Sequence, residues 1–167
     1  MRLVAASLLL LGVVIGLTAC MGGWFTPQLA TTLIIGNPVA VGGNWEVILS
    51  VANMPDGGLS SMAVDVDGMT YNSAKISNIV ATELNGFTVT ASEFNDATGK
   101  GRFVIANAAT GVVGGTILKL AFDANAAVTS ADLGDARFDE TKITLGSALN
   151  TQITTWTKGT AKAYYAK

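Results

Sequence analysis

The sequence predicts an all-β domain, a sandwich of about nine strands. Short runs rich in Val, Ile and Thr alternate apolar and polar residues, which is the two-residue period of a strand. Turn signals containing Gly, Asn or Pro separate these runs at intervals of roughly ten residues. No segment of helical length keeps apolar residues at the 3.6-residue period of a helix. These observations together favour strands joined by tight turns.

The first predicted strand, Leu29–Ile35, is apolar and rich in Thr, and a turn signal follows it at residues 36–38. The second, Trp45–Val51, places Trp45 on its apolar face, so we expect the indole to pack in the core. A further turn signal at residues 53–58 ends this strand. Both runs therefore predict strands with one buried face.

The run Met62–Met69 alternates along its whole length. One face is predicted to be buried, and it carries Met62, Val64, Val66 and Gly68. The other face is predicted to meet solvent, and it carries Ala63, Asp65, Asp67 and Met69. Paired carboxylates such as Asp65 and Asp67 can act in acid–base catalysis or bind calcium. A solvated polar face is the simpler interpretation of this pair.

The remaining strands follow from the same alternation. They are predicted at Ile76–Glu83, Phe87–Phe94, Arg102–Asn107, Thr116–Asp123, Lys142–Leu145 and Gln152–Tyr164. The dipeptide Asn85-Gly86, between the first two of these strands, is the one that type I′ hairpin turns prefer. The segment Asn125–Asp135 has room for one short helical turn.

Composition excludes several classes of function. With 12 acidic and 10 basic residues the formal net charge is −2, so the chain lacks the positive charge that binding to nucleic acid requires. The absence of His removes the commonest general base and any Ser-His-Asp triad. Glycine pairs such as Gly57-Gly58 open no helix, so they predict turns and not phosphate loops. We therefore expect neither an enzyme nor a nucleic-acid-binding protein.

The start of the sequence resembles a bacterial lipoprotein signal. Met1-Arg2 is followed by an apolar run over residues 3–17. At about 15 residues this run is shorter than the roughly 20 residues that a membrane-spanning helix needs. The run ends in Leu17–Cys20, which resembles the lipobox Leu-x-Ala-Cys. The resemblance implies cleavage before Cys20, the single Cys of the chain, and attachment of lipid to its sulfur.

These features divide the chain into three predicted segments. Residues 1–19 are a signal peptide, residues 20–30 are the lipidated Cys20 with a short tether, and residues 31–167 are the folded domain. The protein is then extracytoplasmic, at the cell surface or in the periplasm, and lipid holds it on the cell membrane or an outer membrane. Trp24 and Phe25 of the tether either rest at the lipid interface or pack on the domain. An ordinary signal peptide or an uncleaved anchor is the alternative.

Four segments of the domain resemble cohesins, the nine-stranded jelly-roll modules of cellulosome scaffolds. They are the opening strand Gly42–Pro55, the Gly-Leu-x-Ser strand Gly58–Val66, the step Tyr71–Ile76 and the strand Gly114–Phe122. Asn72-Ser73 stands where cohesins usually have Asp-Pro, and Ala127–Glu140 matches no cohesin feature. The resemblance implies a β-sandwich with jelly-roll topology. Carbohydrate-binding modules share much of this pattern.

Cohesins bind dockerins, small calcium-loaded helical modules, across one flat sheet face. The resemblance therefore implies a protein-binding role, with a dockerin-like or other protein partner, and it identifies no contact residues. The chain has no dockerin-type calcium loop, so the partner is expected to be a separate chain. The alternatives are a carbohydrate-binding module and a structural subunit of a cell-surface layer or filament. An unpaired edge strand would favour the filament.

Two further groups of residues are candidate sites. Asp132, Asp135 and Asp139 lie close together in sequence, and calcium prefers clustered carboxylates. An acidic surface loop is the simpler interpretation, so calcium is the one cofactor that the sequence leaves open. Trp156 and Tyr164 are aromatic residues able to stack on the sugar rings of a polysaccharide. Exposed, coplanar rings on one sheet face would favour that ligand.

Overall fold

The computed structural model describes residues 29–107, 110–134 and 137–160. Within these ranges the chain forms eleven strands and one 3-10 helix, Glu140–Lys142. The strands are β1 Thr32–Ile35, β2 Val39–Val41, β3 Asn44–Ala52, β4 Leu59–Thr70, β5 Ile76–Glu83, β6 Phe87–Asn95, β7 Lys100–Asn107, β8 Gly115–Ala124, β9 Ile143–Ser147, β10 Gln152–Ile153 and β11 Thr157–Thr160. The predicted signal peptide, Cys20, Trp24 and Phe25 lie outside the described residues.

The strands form two sheets that pack face to face. Sheet A has the order β11-β1-β3-β8-β5, with β2 also paired to β3, and sheet B has the order β10-β9-β4-β7-β6. The pair β1–β11 is parallel and the other pairs are antiparallel. The chain crosses repeatedly between the sheets, for example from β3 to β4 and back to β5. The predicted all-β sandwich is therefore confirmed.

One hydrophobic core fills the space between the sheets, because alternate side chains of each strand point inward. Sheet A contributes inward residues such as Leu49 and Leu120, and sheet B contributes Met62 and Phe103, all with 0% of their surface exposed. Trp45 is half-buried and packs against this core, as its place on the apolar face predicted.

The strand count differs from the predicted nine, and the differences lie at the edges of the sheets. β2 was not predicted, because three residues are too few to show alternation. It pairs with the first half of β3 while β1 pairs with the second half, so the two short strands share one edge of β3. Near the other end of the chain, the predicted strand Gln152–Tyr164 is divided into β10 in sheet B and β11 in sheet A.

The alternation predicted for Met62–Met69 breaks in the middle of β4. The register against β7 shifts between Val64 and Met69, which marks a bulge. Val66, predicted to be buried, is 51% exposed, and Met69, predicted to face solvent, is fully buried. The bulge inserts extra residues into β4 relative to β7. Side chains of β4 beyond the bulge therefore point to the face of the sheet opposite to the one that strict alternation predicts. Asp67 within it has a φ of 67°, which few residues other than Gly adopt.

The Asn85-Gly86 turn has the conformation that its sequence predicts. Both residues have positive φ, 52° and 78°, and the backbone nitrogen of Phe87 donates to the carbonyl of Leu84 across the turn. The flanking strands, however, do not form a hairpin ladder, because β5 belongs to sheet A and β6 to sheet B. The turn therefore acts as a corner between the two sheets.

The strands run between two ends of the sandwich. One end, which we call the Leu29 end, consists of the loops at residues 29–31, 53–58, 84–86, 110–114, 148–151 and 154–156. Backbone hydrogen bonds join these loops: Met54 donates to Val113 and Ala148 donates to Gly58, each over 3.0 Å. The opposite end consists of the loops at residues 42–43, 71–75, 96–99, 125–134 and 137–142. None of the described segments is a helix long and apolar enough to cross a membrane.

Candidate recognition face

The outer surface of sheet B is a floor of small side chains. Residues that alternate with the buried core residues of β4, β7 and β9 point outward from this sheet. In register across the strands they form two rows, one of Ala106, Ser61 and Gly146, and one of Ala91, Val104, Ala63 and Thr144. No aromatic or long charged side chain stands in either row. We call this surface the sheet B face.

One end of the sheet B face is charged. A depression of about 260 Å³ lies beside exposed Val66, where β4, β6 and β7 approach the opposite end of the sandwich. Two ion pairs line it: Lys100 Nζ lies 2.7 Å from an oxygen of Asp67, and Arg102 lies 2.6 Å from Glu93. About half of each of these four side chains is exposed. Such exposed pairs contribute little to stability, so their charges remain available to a partner.

The other end of the sheet B face is polar and uncharged. A depression of about 290 Å³ is lined by Ser61, Thr144, Asn150, Thr151 and Gln152 among others. Ser60 Oγ donates to the carbonyl of Ser147 over 2.7 Å, which ties β4 to the end of β9. Gly146 lacks a Cβ that would collide with Ser61 Oγ, so the hydroxyl lies close over the strand. The floor therefore has hydroxyl and amide groups at one end and ion pairs at the other.

Asp67, at the charged end, combines a strained backbone with a side chain held by Lys100. A non-glycine residue with φ near +60° costs free energy, and such residues collect at functional sites. Its sequence neighbour Asp65 instead bonds locally, accepting the backbone N–H of Val66 over 2.7 Å. The two carboxylates thus have separate partners and do not share one site.

The residues predicted to bind calcium are engaged in other contacts where the structure describes them. An Oδ2 atom of buried Asp132 accepts from the backbone N–H of Thr129 over 2.7 Å and from Lys75 over 3.1 Å. The Thr129 backbone hydrogen bond, opposed by burial and aided by Lys75, holds the pKa of Asp132 below its ordinary value. Asp139 caps the 3-10 helix by accepting from Thr141.

Asp135, the third predicted calcium ligand, lies outside the described residues. Among the residues that are described, no group of three acidic, His or Cys side chains is placed to hold a metal ion. The binding of calcium by Asp132, Asp135 and Asp139 accordingly stays a prediction.

Trp156 lies at the Leu29 end and away from the sheet B face. It is half-buried, packs against the core, and lines a depression of about 330 Å³ together with Leu29 and Pro55. Tyr164 lies outside the described residues. Since no second described aromatic lines this depression, a stacking platform for polysaccharide also stays a prediction.

The sheet B face could not be located from sequence. Alternation in Met62–Met69 indicated that β4 has an outer side, but its neighbours β7 and β9 come from distant parts of the chain. The ion pair of Asp67 with Lys100 likewise joins two strands whose pairing no local pattern reveals.

Comparison with solved structures shows which known fold this sandwich shares. The sixth cohesin of scaffoldin B from Acetivibrio cellulolyticus, solved in complex with a Cel5 dockerin, superposes with a TM-score of 0.52 at 17% identity, over 78% of this chain and 96% of that one. A cohesin module of a family 33 glycoside hydrolase from Clostridium perfringens gives 0.52 at 15% identity, over 78% and 98%.

A type II cohesin module of the scaffoldin ScaA from Acetivibrio cellulolyticus gives 0.51 at 10% identity, over 79% and 93% of the two chains. No protein-family model and no curated protein matches the sequence. At such low identity the likeness shows the fold, so the chain has a cohesin-like β-sandwich.

Proposed function

We propose that this protein is a non-catalytic, lipid-anchored module that binds a protein partner, of dockerin type, on the sheet B face. The observation that carries the proposal is the face itself: a floor of small residues with ion pairs at one end and hydroxyl groups at the other. Protein interfaces combine a weakly charged, closely packed centre with a polar rim. The sheet B face shares the uncharged centre and the polar ends of this organisation, although small residues and not aromatic ones form its centre.

The shape of the surface favours a macromolecule over a small ligand. The depressions on the sheet B face, about 260 and 290 Å³, are at the small end of the range of small-molecule pockets, roughly 300–1,000 Å³. Small outward residues such as Ala63 and Ala106 let a partner's backbone approach the sheet closely. The absence of His from the sequence supports a binding role and not a catalytic one.

The fold and the lipobox support the remaining parts of the proposal. Two cohesin structures that resemble this chain are complexes with dockerins. Lipid on Cys20, with two or more acyl chains, gives stable attachment to a bilayer, whereas a single chain gives marginal binding. Attachment confines the protein and its partner to a thin layer, which raises their effective concentration.

A pair of matched substitutions tests the location of the binding surface. Val104→Arg places a long charged side chain in the centre of the sheet B face, and Val80→Arg places the same group on the outer side of sheet A. The full-length, detergent-solubilised chain is immobilised and exposed to calcium-loaded dockerin modules and to secreted proteins of the same cells. We expect Val104→Arg to weaken capture of a specific protein by at least about tenfold, because the hot spots of interfaces lie near their centres.

Val80→Arg should leave that capture unchanged, and melting curves confirm that both variants fold. Equal binding by the two variants would place the recognition surface elsewhere. Retention of the chain only on polysaccharide would overturn protein recognition altogether.

One observation favours a second candidate function, that of a structural subunit. Among the described residues β6, nine residues long, lies at the edge of sheet B; it contains neither Pro nor Lys, and its edge protection is limited to Glu93 and a bulge between Val89 and Ala91. Its free edge could pair with a strand of another copy in a surface layer or filament. Light scattering of the solubilised chain tests this: Thr88→Lys on β6 should reduce concentration-dependent oligomers, while Thr82→Lys on edge strand β5 should not.

A further inference from the structure

The Leu29 end of the sandwich exposes several large apolar side chains. Leu29 is 68% exposed, Val113 is 57% exposed and Leu149 is 67% exposed. These residues come from three different loops that all contact the loop at residues 53–58. Met54 donates to the carbonyl of Val113, and Ala148 donates to the carbonyl of Gly58. The side-chain amide of Asn53 donates to the carbonyl of Ala30, next to Leu29, over 3.1 Å. Leu29 also lines the depression of about 330 Å³, together with Pro55 and half-buried Trp156. The end therefore presents exposed aliphatic side chains and a partly exposed aromatic ring.

The same end carries almost no charge. Among the loops that define it, Asp56 is the one charged residue that the structure describes. The loops of the opposite end carry charges of both signs: Lys75, Asp96, Asp132, Arg137, Asp139, Glu140 and Lys142. A charged group is costly to bring among lipid acyl chains, whereas aliphatic and Trp side chains favour the membrane interface. The almost uncharged Leu29 end is therefore better suited to contact a membrane surface than the charged opposite end.

The position of Cys20, the proposed lipid-attachment residue, indicates that a membrane covers this end. Leu29 is the first described residue, and only residues 21–28 separate it from Cys20. Fully extended, these residues span roughly 30 Å, so lipid on Cys20 keeps the bilayer within that distance of Leu29. A single acyl attachment point would otherwise leave the domain free to rotate about its tether.

We propose that the Leu29 end rests on the lipid surface, with Leu29, Val113 and Leu149 at the boundary between headgroups and acyl chains. This orientation rests on the proposed lipidation of Cys20. The strands of sheet B then extend along the membrane normal, with β4 leading away from the membrane and antiparallel β7 and β9 leading back toward it. The sheet B face therefore stands upright, and its charged depression lies at the end away from the lipid. A partner meets the face from the side without competing with the bilayer.

Fluorescent labels placed on single introduced cysteines test this orientation. The lipidated full-length chain is reconstituted in vesicles of phosphatidylcholine and phosphatidylglycerol, after intact mass has confirmed that the Cys20 sulfur carries lipid and has no free thiol. An environment-sensitive label is attached to Leu149→Cys or to Val113→Cys at the Leu29 end. Ala97→Cys, exposed at the opposite end, is the matched control.

We expect lipids with a quencher near the headgroup to reduce the emission of the first two labels at least twofold and to leave the Ala97→Cys label unchanged. Leu149→Asp should restore the emission of the Val113→Cys label, while Val66→Asp at the opposite end should not. If the emission of these labels changes with protein concentration but not with quencher lipids, a second copy of the chain covers this end. That result would overturn the proposal. An unmodified Cys20 would overturn the anchor itself, whereas lipidated chains with unquenched labels would overturn the orientation alone.

Discussion

Lys75 Nζ lies 3.1 Å from a carboxylate oxygen of Asp132, which is 57 residues further along the chain. The contact ties the loop before β9 to the loop between β4 and β5. Asp132 is buried, with 4% of its surface exposed, and it also accepts from both the backbone and the hydroxyl of Thr129. The carboxylate therefore organises the loop around buried Leu133.

This contact predicts a loss of stability in acid. The Thr129 backbone hydrogen bond and Lys75 lower the pKa of Asp132 in the folded chain, so its contribution is present above the ordinary value of 3.8 and disappears as the pH falls through the folded pKa. Melting temperatures measured from pH 7 to about pH 2.5 should fall less steeply for Asp132→Asn than for the unchanged protein. Lys75→Met, which removes one donor, should give an intermediate slope. Parallel slopes for all three proteins would contradict this role.

Tyr71 predicts a change at alkaline pH. It is 5% exposed, and its hydroxyl donates to Asp96 over 2.7 Å. Burial, the hydrogen bond to Asp96 and the charge of Asp96 all raise the pKa of Tyr71 well above its ordinary value of 10.0. Above that pH the unfolded chain releases the phenolic proton and the folded chain does not, so the free energy of unfolding should fall. Tyr71→Phe should remove this fall in the free energy of unfolding, measured by urea unfolding from about pH 9 to about pH 11.

Gly58 and Gly42 predict different costs for the same substitution. Both have positive φ, 99° and 58°. A Cβ on Gly58 would lie 2.7 Å from the backbone of Val112, whereas a Cβ on Gly42 would have no neighbouring atom within 4 Å. Gly42→Ala should cost about 1 kcal/mol from backbone strain alone. Gly58→Ala should cost about 3 kcal/mol or more, because the Leu59–Val112 contact must separate. Chemical denaturation of both variants measures the difference, and equal costs would argue against the close approach of these loops.

Substitutions of Asp67 should affect the stability of the domain and its binding of the partner differently. Asp67→Gly removes the exposed ion pair with Lys100 but accepts the φ of 67° without strain, so its stability should lie within about 1 kcal/mol of the unchanged protein. Asp67→Ala loses the same ion pair and keeps the strain, so it should be less stable than Asp67→Gly by about 1 kcal/mol. Both should weaken capture of the partner to a similar extent. A variant that is destabilised yet binds normally would indicate a purely structural role.

Local sequence patterns predicted the parts of the fold that depend on local chemistry. The strand Ile76–Glu83 has the predicted bounds, and Asn85-Gly86 adopts the conformation that its residues favour. β2 was missed because Val39–Val41 is a strand only through its pairing with β3. The exposure of Val66 was missed because the bulge in β4 is set by its register against β7, which sequence alternation does not reveal.

The candidate site was less predictable than the fold. Resemblance to cohesins implied one flat binding face but could not assign it to a sheet. That assignment requires knowing that Ser61 lies between Ala106 and Gly146, contacts that join residues far apart in the chain. Only a folded chain places these small residues in one row.

The pairing of β1 also determines how the domain would bear a mechanical load. β1 lies between antiparallel β3 and parallel β11, and its first residue is at the Leu29 end. A pull on Thr32 directed away from the sandwich at the Leu29 end acts along the axis of β1, across hydrogen bonds that run sideways to both neighbours. All of those bonds then share the load in shear and cannot be broken one at a time, so the start of the domain is held by two strands at once.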